Sequence, residues 1–159
     1  MTPEQRIYEA IKVMRESAQS AHSSHEQDWI SEHLDNCELK AIISKLSIVA
    51  LHMLSSLEKG PQTGIDLATD INVTRGAITR ASKKLLEYKL ITAYKKETNR
   101  KNIYYEITDD GLEVAKAHDK MHCEMKRAVV NKIKEKYSTQ ELTLVADFLD
   151  DFIKLEDKL

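Results

Sequence analysis

The sequence predicts a mainly α-helical chain with one small β-hairpin, and three observations lead there. Gly and Pro, the residues that punctuate helices, number only four and two in 159 residues. Apolar residues recur at three- and four-residue spacing over most of the length. The exception is residues 91–108, where two β-rich runs flank a polar, basic segment.

Taken in order, Thr2-Pro3-Glu4-Gln5 reads as a helix start, with a capping residue followed by Pro at the first helical position. Ile7, Ile11 and Met14, with Ala10 and Ala18, carry that helix to about Ser23. Residues 22–36 are polar and are expected to form a loop or short helices. Leu39, Ile42, Ile43 and Leu46 resume helical spacing. Ser47 caps a further helix holding Val49, Leu51, Met53, Leu54 and Leu57, and Gly60-Pro61 stops it.

The middle of the chain carries the motif. Residues 65–71 form a short helix with Leu67, Ala68 and Ile71 facing inward, and Asn72-Val73 makes a turn. Thr74 then caps a second helix whose expected buried stripe is Ala77 or Ile78, then Ala81, Leu85 and Leu86. Two short helices, a tight turn and a small residue, Ala68, at their approach give helix-turn-helix spacing. The second helix exposes Thr74, Arg75, Thr79, Arg80, Lys83 and Lys84, groups able to reach base edges and phosphates in a major groove. Strands at Ile91–Lys95 and Asn102–Thr108 follow. The segment between them holds Lys96, Asn99, Arg100 and Lys101, a cationic tip suited to phosphates or a minor groove. The expected architecture is therefore a winged helix-turn-helix.

Charge supports that reading. The net charge is only −2, but residues 74–101 carry +7 between segments of −5 and −4. A basic block over the second helix and wing is a footprint for phosphates. After the wing, Thr108-Asp109-Asp110-Gly111 opens a long helix. Ser138 and Glu141 then form a capping box for a last helix bearing Leu142, Leu144, Val145, Phe148, Leu149, Phe152 and Leu155. These apolar positions exceed what one small domain buries. With the N-terminal helix they predict an intersubunit bundle, a homodimer and a pseudo-palindromic double-stranded DNA operator. The expected division is an N-terminal dimerisation arm and loop at 1–46, a DNA-binding winged helix-turn-helix at 47–110, and C-terminal dimerisation helices at 111–159.

Other classes fit less well. No apolar run approaches the length of a membrane span, and the N-terminus shows no secretion signal. Two cysteines, Cys37 and Cys123, make no disulfide framework, so a cytoplasmic location is expected. No HExxH, glycine-rich phosphate loop or Ser/His/Asp pattern supports an enzyme.

Residues 64–115 resemble the core of MarR-family regulators through the helix-turn-helix, the wing, and its exit at Ile107, Thr108 and Gly111. The resemblance implies a DNA-binding transcription regulator with flanking dimerisation helices. One departure lies in the wing, where that family carries an Asp and an Arg two apart. Here Asn99 and Lys101 stand at those positions, so the cationic role survives and the bracing Asp does not.

The histidines narrow the reading. His118 and His122 are four apart on a helix and share a face, a good chelating pair for a transition metal. In the zinc-responsive AdcR/ZitR-type members of the family, a similar His pair on the helix after the wing binds zinc. It does so with a His on the helix preceding the helix-turn-helix and a Glu shortly after the first helix. Those positions correspond here to His52 and Glu26. The resemblance thus implies a zinc site of Glu26, His52, His118 and His122, and a repressor of metal-uptake genes. The segment between Glu26 and His52 is longer than in that subgroup, and His25, His33, Asp35 or Cys37 are alternative ligands. A second site in the subgroup uses a Cys and acidic residues just before two of the histidines. Leu51 and Ala117 occupy those places here, so the second site is expected to be lost or rebuilt around Cys37. Two further readings keep the regulator but change the signal: a small aromatic ligand in a cleft lined by Trp29, Met53, Met121 and Met125, or thiol oxidation at Cys37 or Cys123.

Overall fold

The computed structural model describes residues 1–20 and 23–156. Helices α1 (Pro3–Ser20), α2 (Ser23–His33), α3 (Cys37–Ile43) and α4 (Ile48–Leu57) lead into β1 (Gln62–Thr63), α5 (Gly64–Asp70) and α6 (Arg75–Glu87). Strands β2 (Ile91–Lys96) and β3 (Asn99–Ile107) precede α7 (Asp109–Lys136) and α8 (Thr139–Glu156). None of the described helices is long and apolar enough to cross a membrane.

The starts of these helices follow from their caps. Thr2 and Gln5 bond reciprocally at the start of α1. Asn36 accepts from the backbone N–H groups of Glu38 and Leu39 ahead of α3, and Ser47 accepts from Ala50 ahead of α4. At Ser138 the hydroxyl accepts from the Glu141 N–H, while the Glu141 carboxylate accepts from the Ser138 backbone and hydroxyl. That double contact holds the Glu141 carboxyl below its ordinary pKa.

The first helix is described to Ser20, and Ser23 belongs to α2; residues 21–22 of the expected helix lie outside the described residues. The polar stretch after it, expected as a loop or short helices, forms one helix of three turns, with Glu26 and Ile30, one turn apart, on a buried face. One expectation is corrected. The sheet has three strands in the order β1-β3-β2, since Gln62 and Thr63 pair with Tyr105 and Tyr104. A two-residue strand carries too little periodicity to be read from sequence.

The chain divides into two compact units, residues 1–121 and 122–159, with the division inside α7. The core of the first unit draws on helices α2 to α6, strand β2 and the start of α7, including Ile30, Ile43, Leu51, Leu54, Leu67, Ile78, Leu85, Leu90 and Val114. Each such aliphatic side chain contributes about 1.5–3 kcal/mol when fully buried. Gly111 shows how tightly α7 is seated. A Cβ there would lie 2.1 Å from the Leu90 carbonyl oxygen, so only glycine fits. The neighbouring Thr108 fixes the same corner: its hydroxyl donates to the Lys89 carbonyl at 2.8 Å and accepts from the Gly111 N–H.

The second unit is built differently. Helix α8 buries none of its residues, and Leu144, Val145, Phe148, Leu149, Ile153 and Leu155 are all exposed. Helix α1 likewise exposes Tyr8, Val13 and Met14.

Candidate nucleic-acid interface and metal centre

Thr63 and Asp66 form a capping box that starts α5, with the Thr63 hydroxyl donating to Asp66 Oδ2 at 2.7 Å. Asn72 takes a left-handed φ of 53°, which asparagine tolerates, and the Val73 N–H closes on the Ala68 carbonyl at 3.0 Å. These contacts make the turn of the helix-turn-helix. Thr74 caps α6, accepting from the Ala77 N–H at 3.2 Å.

The buried stripe of α6 is Ile78, Ala81, Ser82 and Leu85. Leu86, expected inside, is 39% exposed. Ser82 takes the inner position because its hydroxyl is satisfied by the Thr79 carbonyl at 3.1 Å, which removes the cost of burying it. Thr74, Arg75, Thr79, Arg80, Lys83 and Lys84 are all exposed on the outer side. Lys84 is engaged with Glu87 at 2.9 Å, which holds its ammonium above the ordinary pKa.

The wing is longer and its tip shorter than the sequence suggested. Strands β2 and β3 extend through most of the polar segment and leave Glu97-Thr98 as the turn. Tyr94 stacks with Tyr104, and the Lys96 ammonium sits 4.1 Å from the Tyr104 ring centre. That aromatic support lets charged residues continue the strands. A register shift follows Lys95, and Arg100 and Lys101 are exposed beside it. Asn99 pairs with Lys96 in the ladder; its side chain lies outside the described ones.

A second constellation draws on α2, α4 and α7. Glu26 in the first turn of α2, His52 on α4, and His118 and His122 on α7 each offer one ligand atom, and these atoms lie within 4.8 Å of one another. Helix α2 fixes the direction of Glu26. Its side chain is buried, and Oε2 has no hydrogen-bond partner. His118 is 2% exposed, His52 half-buried and His122 exposed, one helical turn beyond His118.

A buried carboxylate oxygen without a donor is costly, and a cation removes that cost. Three imidazoles and one carboxylate form a donor set suited to zinc, with four ligands for a tetrahedral shell. The residues present therefore fit the ion. The alternative ligands are disposed elsewhere. His33 stacks on Trp29 at 3.6 Å and bonds its carbonyl, while His25, Asp35 and Cys37 are exposed and outside the four-residue group. Leu51 and Ala117, preceding two of the histidines, are buried apolar residues with no ligand atom. Met53 and Met121 are fully buried in the core, which gives them a packing role, and Cys123 is exposed.

Sequence reasoning missed two polar residues here. Ser55, one turn after His52 on α4, lies 2.8 Å from His118 Nδ1 and donates to Asp119 Oδ1 at 2.7 Å. The spacing of three from His52 was the available signal, since it puts both on one face.

Comparison with known proteins agrees with this architecture. A profile described as the MarR family matches residues 34–103. The transcriptional regulator AdcR of Streptococcus pyogenes is 30% identical over 108 residues, covering 68% of this chain and 73% of that protein. The HTH-type transcriptional regulator YvnA of Bacillus subtilis is 24% identical over 95% of this chain and 86% of its own. Among solved structures, ZitR of Lactococcus lactis, described as a zinc-responsive MarR family member, superposes with a TM-score of 0.73 at 20% identity, over 96% of this chain and 98% of that one. A ZitR variant in complex with DNA gives 0.71 at 21% identity, over 97% of each chain. The chain belongs to the MarR family of transcription regulators.

Proposed function

We propose that this regulator is a zinc-responsive repressor of metal-uptake genes that binds double-stranded DNA as a homodimer. The observation that carries the zinc reading is the buried, unpartnered oxygen of Glu26 facing a cluster of three histidines. The low-identity likeness to zinc-responsive ZitR and the relation to AdcR point the same way.

Glu26, His52, His118 and His122 would hold the ion. When bound, zinc would supply positive charge at the Glu26 carboxylate and tie α2 and α4 to α7. Zinc regulates DNA binding only if the DNA-competent arrangement holds it more tightly than the other. On the DNA side, Arg75, Thr79, Arg80 and Lys83 of α6 read or flank the major groove, with Thr74 and Lys84 at its edges. Lys96, Asn99, Arg100 and Lys101 of the wing meet phosphates. The exposed apolar faces of α1 and α8 suit a second copy of the chain.

With Leu51 and Ala117 in place of ligands, each chain should bind a single tight zinc. Elemental analysis after dialysis against zinc, with the subunit count from light scattering, checks this. One ion per chain in a dimer is the expected result; a protein that retains no zinc would overturn the zinc reading while leaving the regulator.

A further inference from the structure

We infer that Ser55 and Asp119 are positioning residues for His118, holding its ring in the tautomer that carries the proton on Nδ1 and turns the lone pair of Nε2 to a metal. The inference rests on the metal-binding reading above. A neutral imidazole has one N–H and one acceptor nitrogen, and the hydrogen bond at one nitrogen decides the role of the other.

At His118 the neighbours of Nδ1 leave one assignment. Asp119 Oδ1 lies 3.2 Å away, and a carboxylate only accepts. Ser55 Oγ lies 2.8 Å away and has a single hydrogen. That hydrogen is directed to Asp119 Oδ1 at 2.7 Å, with the Leu51 carbonyl at 3.5 Å as the other acceptor in reach. A hydrogen turned to Nδ1 instead would leave the Asp119 carboxylate facing two acceptors, Oγ at 2.7 Å and Nδ1 at 3.2 Å, so the hydroxyl presents a lone pair to Nδ1 and the ring nitrogen donates. His118 is 2% exposed, so these protein groups rather than bulk water set its orientation.

The layout follows from simple spacing. Helix α4 brings a ligand, His52, and three residues later the hydroxyl that orients a second ligand on α7. The His52 and His118 rings meet edge to face with centres 5.1 Å apart. Asp119 adjoins His118 in sequence and completes a carboxylate–hydroxyl–imidazole chain. Such outer partners fix the ligand's orientation and raise its basicity, and their loss typically weakens metal binding by about 10- to 100-fold.

Two measurements on the full-length protein test this. Long-range proton–nitrogen NMR correlation of the metal-free protein, labelled at histidine, reports the tautomer directly. His118 is expected to be protonated at Nδ1. Asp119→Asn replaces a group that only accepts by one that can also turn an N–H to Ser55 and free its hydrogen for Nδ1, so the Nε2-protonated form should grow relative to wild type. Zinc affinity, read by competition with a chromophoric chelator, should fall about 10- to 100-fold in Ser55→Ala and in Asp119→Asn. It should return toward wild type in Ser55→Thr, which keeps the hydroxyl. Should Ser55→Ala fail to fold, Asp119→Asn on the half-exposed side of α7 carries the same test. Nε2 protonation of His118 in the wild type, or undiminished zinc affinity in both variants, would overturn the positioning role alone. A wild type that binds no zinc overturns the metal reading itself.

Discussion

The outer face of α6 and the cluster around Glu26 are both rich in charged and polar side chains, yet they are held in opposite ways. On α6 six polar residues within eleven positions stand in solvent, where their charges are hydrated and cost nothing to maintain. Around Glu26, residues from three helices converge, and two of them, Glu26 and His118, are buried. The first face is complete without its ligand and gains by meeting phosphates. The second contains a carboxylate oxygen that the protein alone does not satisfy. An exposed cationic face points to a partner through charge, whereas a buried unsatisfied acceptor points to one through cost.

The contrast predicts that the two regions can be disabled separately. The largest effect should come from replacing His118 and His122 together by Ala. Removing two direct ligands should weaken zinc binding by more than about 100-fold, beyond the loss typical of outer partners. Calorimetric zinc titration checks this, and wild-type affinity in the double variant would show that the cluster is not the site.

Arg75→Ala and Arg80→Ala should leave zinc binding intact and each weaken binding to a duplex selected from a random library by about 1–3 kcal/mol, the range for an arginine that reads a base edge. Fluorescence anisotropy at several salt concentrations separates base reading from phosphate contact: a base reader changes sequence preference, a phosphate contact lowers the salt slope. If DNA affinity is unchanged in both, α6 is not the reading helix.

The smallest effect concerns α4, which touches the histidine cluster and helix α5 through adjacent residues. Ser55 faces His118, while Ser56 donates to Asp70 Oδ2 at 2.6 Å, and Lys59 adds an ion pair at 3.1 Å. These donors, Ser56 first, hold the Asp70 carboxyl below its ordinary pKa. A lowered native pKa contributes stability above the ordinary value of about 3.9 and loses it as pH falls through the native value. Thermal melts of Asp70→Asn should therefore show less loss of stability toward acid pH than wild type, with the two curves keeping a constant offset at neutral pH. An identical acid slope would mean that Asp70 does not couple α4 to α5.

How much of this was legible in the sequence varies with how local the cause is. The caps at Thr74 and Ser138, the stop at Gly60-Pro61 and the cationic stripe of α6 are written in neighbouring residues, and each appears in the structure where the spacing put it. The close seat of Gly111 against Leu90 lay behind a readable motif, but only the fold shows why a side chain cannot fit there. Helix α2 was legible only as one of two options, a loop or short helices, because its buried face includes a carboxylate, which breaks the apolar period at Glu26. Leu86 was expected inside and lies outside, while Ser82 is buried, its hydroxyl satisfied by a local hydroxyl–carbonyl bond. The gathering of Glu26, His52 and the His118–His122 pair is a tertiary fact. Its members could be named by resemblance, while their convergence needed the packing of α2, α4 and α7.

The most direct measurement of the central claim is the affinity of the wild-type protein for its selected duplex with excess zinc and with excess chelator. The account predicts tight binding with zinc and substantially weaker binding with chelator, and weak binding in both conditions for the His118→Ala/His122→Ala protein. Equal wild-type affinity with zinc and with chelator would contradict it, leaving a DNA-binding regulator governed by some other signal.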